Sequence, residues 1–164
     1  MERLHRANGE ANVRLGVMAS LLAAAGIGAC GSDLTGPGQL AARRSAWESR
    51  APAAYAFTYR ASCFCQESGV LYRVSVRDGS VVRVDQLDPD PAQRQVPAPH
   101  RGHPTVDSLF AWTARAYARS ADRVDVTYDV TYHFPARISI DWYEDAVDDE
   151  ISFAAQGLVP EPDE

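Results

Sequence analysis

The 164-residue chain contains no lysine; all 16 of its basic residues are arginine. That absence excludes a Schiff-base lysine, a lysine general base and a Ser-x-x-Lys nucleophile. Basic residues are outnumbered by 22 Asp and Glu, giving a formal charge of −6. This is the opposite of the basic footprint that nucleic-acid binding requires, so no nucleic-acid partner is expected. The sequence also has no Gly-x-Ser-x-Gly, no His-Glu-x-x-His and no phosphate-cradling Gly-rich loop before a helix. No catalytic residue and no cofactor are therefore assigned. The uncharged run Leu15–Ala29 would span roughly 22 Å as a helix, short of the roughly 30 Å hydrocarbon core, so a stable transmembrane span is not expected. Wholesale disorder is excluded by a composition that is 46% hydrophobic and 23% charged.

What the N-terminus does contain is an address. Arg3, Arg6 and Arg14 form a positive segment ahead of the Leu/Ala/Gly-rich run, the order of a secretion signal over residues 1–29. The run ends Ile27-Gly28-Ala29-Cys30, which resembles a bacterial lipobox. The resemblance implies cleavage before Cys30, a thioether-linked diacylglycerol on its sulfur, and a membrane partner reached through that lipid. It also implies a place in the bacterial cell envelope, facing the extracytoplasmic side. Cleavage would remove three Arg and two Glu, leaving 13 basic and 20 acidic residues and a charge of −7. Such a body would not adhere to an anionic leaflet, so the lipid has to anchor it. Residues 30–38 read as a flexible small-residue tether.

A single domain is expected over residues 39–159. Gln39–Arg50 suits a helix, with Leu40, Arg43, Arg44, Trp47 and Ala51 along one side and Pro52 ending it. Tyr55, Phe57 and Tyr59 alternate as a strand. Val70–Arg77 and Ser80–Asp85 alternate on either side of Asp78-Gly79, a hairpin signal demanding positive φ at both turn positions. Gln86–Pro104 holds half of the ten prolines and reads as an exposed, partly polyproline-like link. Thr105 is placed to cap a second helix, with Asp107 in its first turn, running to about Ser120. Strands follow around Val124–Val130, Ile138–Trp142 and Glu150–Ala155, and residues 160–164 read as a frayed acidic tail. The predicted fold is a two-layer α+β domain: an antiparallel sheet of about six strands with two helices on one face. A weak likeness between Ala54–Tyr59 and Val124–Tyr128 raises an internal repeat, with convergent strand composition as the alternative.

An ordered set of features carries a family resemblance. Trp47 ends a helix, and Tyr55-x-Phe57-x-Tyr59 leads into Cys63-Phe64-Cys65. Asp78-Gly79, Thr105–Phe110, Tyr128-Asp129, Phe134-Pro135, Ile138–Asp141 and Asp148–Glu150 follow. Together they resemble the bacterial family catalogued as domain of unknown function 6174. The resemblance implies location and architecture and no activity. Many members have Gly before the aromatic-Pro pair, where this chain has His133, which puts the local turn geometry in question. The plan is also similar to small periplasmic modules that bind proteins, a likeness of fold alone.

Cys63 and Cys65 are the residues most able to carry chemistry. In a regular strand, i and i+2 lie roughly 6.5–7 Å apart on one face, at the edge of disulfide reach, and a bend at Phe64 would close the gap. A structural disulfide is the first reading; free thiols or a metal site are the alternatives. His100 and His103 read as surface histidines, and no metal site is assigned. The acidic run Asp141, Glu144, Asp145, Asp148, Asp149 and Glu150 lacks an EF-hand pattern and reads as a solvated hairpin. Trp112, Tyr117 and Trp142 read as core or rim residues. Two functions remain. The first is a non-enzymatic, membrane-anchored binding module for an unknown protein or small molecule, which predicts a sheet face with exposed aromatics. The second is a thiol-redox or metal-handling protein using Cys63 and Cys65, which requires a concave pocket with at least two convergent polar groups.

Overall fold

The computed structural model describes residues 35–65, 67–87 and 102–162. The segment read as a secretion signal, Cys30, most of the proline-rich link with His100, and the last two residues lie outside that set. Helix α1 spans Gly36–Glu48 and α2 Val106–Ala118; strands β1 to β6 span Ala54–Ser62, Leu71–Arg77, Ser80–Gln86, Arg123–Tyr128, Pro135–Asp141 and Ile151–Pro160. The sheet is antiparallel with order β3-β2-β1-β6-β5-β4. The α+β architecture is the expected one. The described residues all fall in one compact unit. Among the described residues no helix is long and apolar enough to cross a membrane.

Local chemistry sets the element ends. Thr105 accepts from the Ser108 backbone N–H while the Ser108 hydroxyl accepts from Thr105 N–H, a capping box that starts α2. In the hairpin, Asp78 and Gly79 have φ of 48° and 71°, as the Asp-Gly signal requires. Helix α1 begins three residues before the expected Gln39, inside the segment read as tether, because Pro37 suits a first helical turn. It stops at Glu48, where Arg50 and Ala51 N–H both turn back to the Trp47 carbonyl.

The C-terminal strand also departs from expectation. Gly157, at φ 63°, takes up a bulge opposite β1 that lets pairing continue past Ala155 to Pro160. Glu161 is then held: its N–H donates to the Ala54 carbonyl at 2.9 Å, and its carboxylate meets Arg73 and Ser75 at 3.4 Å. The segment from Pro160 to Glu161 is therefore tied down rather than frayed. The internal repeat is not reproduced. Strand β1 is central and β4 is an edge, and the three antiparallel steps between them make them run in opposite directions.

The core fills the space between the helices and one sheet face. Tyr55, Phe57, Tyr59, Val74, Val76, Ile138, Ile140 and Phe153 point inward from the sheet. Trp47, 2% exposed, sits edge-on to Tyr55, Phe134 and Tyr132 at centroid distances of 5.4, 6.2 and 6.4 Å. Leu40 and Trp47 alone are buried from α1; Arg44 is exposed and pairs with Glu48 at 2.9 Å.

His133 occupies the β4–β5 turn with φ 66°, the left-handed conformation that glycine adopts without strain. Asp129 organises the turn by accepting from the N–H groups of Thr131 and Tyr132. Arg43 donates to His133 Nδ1 at 2.9 Å, and Arg50 lies 3.3 Å from Nε2 and from the Thr131 carbonyl. A neutral imidazole has one lone pair on nitrogen, so the shorter Arg43 contact takes it. These contacts hold the histidine where its Cβ costs about 1–2 kcal/mol. Both His133→Gly and His133→Ala remove the imidazole, so their difference isolates the backbone. In urea unfolding, H133G should be more stable than H133A by about 1 kcal/mol. Equal stabilities would mean that the turn does not need the left-handed residue.

Candidate ligand-binding site

The two helices do not cover the whole inner face. The α2 N-terminus is fixed beside β1 by the Val106 N–H, which donates to the buried Tyr55 hydroxyl at 3.2 Å. From there α2 runs against β4 and β5. Among the described residues the close packing of α2 on the sheet is with β4 and β5, and the inner face at the end of β1 and the start of β2 and β6 is left partly open. A cavity of about 470 Å³ opens there, within the range of small-molecule sites.

Its floor is aromatic. Tyr59 stacks on Phe153 at 6.3 Å with rings 19° apart, and Phe153 meets Trp112 at 4.9 Å. Tyr72 is the cross-strand partner of Tyr59. The Gly102-His103 segment forms one lip, with His103 edge-on to Tyr72 at 4.5 Å and to Tyr59 at 6.4 Å. His103 is thus half-buried against two tyrosines rather than a surface residue. Trp142 lines another side, and Cys65 and Glu67 stand at the rim. The remaining wall is Trp112 and Arg115 of α2 with Arg119, the residue that caps its C-terminus, spaced along one side.

The polar groups are tuned by this setting. Burial, and then the charge of Glu67, pushes the Tyr59 phenol well above its ordinary value; Tyr72 is raised by the same two causes. Both hydroxyls therefore keep their protons at neutral pH and can donate to a ligand. Elsewhere in the core, burial pushes Tyr55 up to about 12, partly offset by its bond from Val106. Arg115 and Arg119 make no ion pair with any described residue.

The residues singled out in the sequence distribute unevenly. Cys63 and Cys65 lie at disulfide distance, with Cα atoms 5.3 Å apart. The bend at Phe64 that permits this is closed by the Cys65 N–H bonding back to the Cys63 carbonyl at 2.8 Å. Only Cys65 of the pair reaches the cavity. The acidic loop spends its carboxylates on backbone: Asp149 accepts from Tyr143 N–H at 2.8 Å, and Asp122 from Glu144 N–H at 2.7 Å. Among the described residues no three His, Cys, Asp or Glu converge as metal ligands. Trp112 and Trp142 line the cavity, beyond the core-or-rim role expected of them, whereas Tyr117 lies in the groove between α1 and α2. Arg115 and Arg119 were not singled out from sequence. Their signal was the Trp-x-x-Arg-x-x-x-Arg spacing, which puts two cations on a face that starts aromatic.

In comparisons with known proteins, the family described as "Family of unknown function (DUF6174)" matches residues 39–160. No curated protein and no solved structure matches the chain.

Proposed function

The chain belongs to the family of unknown function DUF6174, and from that premise we propose that it is a lipid-anchored, extracytoplasmic binding module that holds a small apolar molecule in the aromatic cavity. The observation that carries this reading is the cavity itself: about 470 Å³, floored by Tyr59, Tyr72 and Phe153 and walled by Trp112. The cavity's polar groups are the Tyr59 and Tyr72 phenols, the Arg115 and Arg119 guanidinium ions, His103 on the lip, and Glu67 and Cys65 at the rim. The sequence has none of the nucleophile motifs that would supply an attacking group. The anchor is supported by the lipobox-like Ile27-Gly28-Ala29-Cys30 after an uncharged run. A second reading, thiol-redox work by Cys63 and Cys65, draws on Cys65 at the cavity rim.

Two measurements test the two halves. The Cys30→Ser change in the full chain should abolish the lipid mass increment and release the protein from the membrane fraction. An unchanged mass and distribution would contradict the anchor. For the cavity, the neutral dye N-phenyl-1-naphthylamine should brighten and shift to the blue on mixing with residues 33–164. The Ala61→Phe change, which fills the cavity from β1, should weaken that binding by about tenfold or more while the thermal transition stays cooperative. Equal dye binding by A61F and wild type would place the dye elsewhere and refute the reading.

A further inference from the structure

The cavity has a charge asymmetry that an apolar ligand alone leaves unused. Among the described arginines, Arg44, Arg73, Arg83 and Arg123 each pair with a carboxylate. Arg43 bonds His133 and lies over the Tyr128 ring at 5.4 Å. Arg50, Arg60, Arg77, Arg115, Arg119 and Arg137 pair with no described carboxylate, and of these Arg115 and Arg119 sit about one helical turn apart and line the aromatic cavity. Like charges at this spacing repel one another on a helix. Leaving them together in a strongly acidic chain points to an anion supplied from outside.

The rest of the cavity narrows what that anion is attached to. Tyr59 and Phe153 stack on each other and Trp112 lies against Phe153, so the cavity is bounded by a buried aromatic cluster that suits an apolar body. Glu67 stands at the opposite rim, on the side of the two tyrosines. A second negative group at that end would face its carboxylate, so the charge belongs at the arginine end only. The Tyr59 hydroxyl, which keeps its proton, bonds to no described residue and is free to donate to a neutral oxygen or nitrogen on the body.

We propose that the cavity takes an apolar molecule bearing a single carboxylate, sulfonate or phosphate group, with Arg115 and Arg119 pairing that group and Tyr59, Phe153 and Trp112 bounding the body. Guanidinium groups suit this because they offer forked donors to oxyanions and remain charged throughout the physiological range. This inference rests on the binding reading above and adds the sign and position of the ligand's charge.

The test uses two dyes of similar body and different charge on residues 33–164: 8-anilinonaphthalene-1-sulfonate, an anion, and N-phenyl-1-naphthylamine, which is neutral. Arg115→Gln with Arg119→Gln should weaken the sulfonate by about tenfold or more and change the neutral dye by less than about twofold. Arg60→Gln with Arg137→Gln, the same charge change on the opposite sheet face, should leave both dyes as in wild type. In the unsubstituted protein, raising sodium chloride should weaken the sulfonate and spare the neutral dye, because rim charges are screened. Equal loss of both dyes, or none, in the R115Q/R119Q variant would overturn the charge assignment while leaving the cavity reading standing. If neither dye bound the cooperatively folded wild type, the cavity reading would fall and the charge assignment with it.

Discussion

Two helices of 13 residues each face a sheet whose central strands have 9 and 10 residues. At 1.5 Å per residue the helices are about 20 Å long; at about 3.3 Å per residue the central strands reach about 30 Å. Six strands also span roughly 24 Å across, which two helices packed side by side at about 10 Å each barely match. The apolar face of the sheet is thus larger than its cover. Beside the cavity, at Tyr59, Tyr72 and Phe153, the face is aromatic rather than polar, and these residues are buried. Sheets that face water alternate to polar residues on the exposed side, and the opposite face here does so, with Thr58, Arg60, Ser152 and Arg137. The candidate site is the cavity that lies over this aromatic floor.

The covered end explains why the mismatch persists. Trp47 locks α1 between Tyr55 on β1 and Phe134 just before β5, and the β4–β5 turn is pinned to the same helix and the residues after it through Arg43, Arg50 and His133. Tyr128 lies beneath Arg43, and burial pushes its phenol up to about 12. The same Tyr55, through its hydroxyl, receives the first N–H of α2. With α1 committed to one end and α2 tethered at its start, neither helix can slide over the cavity without breaking buried contacts. The fold's stability and the opening of the site therefore depend on the same few side chains.

Local signals made much of this legible in the sequence. Asp78-Gly79 demanded two positive φ values and has them, and Thr105 started α2 with its own side chain. The suspicion about His133 located a left-handed residue correctly, because steric preference at one position needs no tertiary context. What escaped was non-local. The extension of β6 depends on a bulge at Gly157 opposite β1, and the hold on Glu161 depends on Arg73 from β2. The cavity draws its walls from both helical and strand segments far apart in the chain, so no window of sequence contains it. Trp112 and Trp142 were weighed as single residues, and only the fold brings them to one wall together with Arg115 and Arg119.

The chain has three tryptophans, and they divide cleanly between the two ends of the inner face: Trp47 is buried in the core, while Trp112 and Trp142 line the cavity. Fluorine NMR of 5-fluorotryptophan-labelled protein, titrated with N-phenyl-1-naphthylamine, reads all three at once. A ligand seated in the cavity should shift the resonances of Trp112 and Trp142 and leave that of Trp47 in place. Movement of Trp47 with Trp112 and Trp142 unmoved would contradict a ligand site at the partly open end of the sheet.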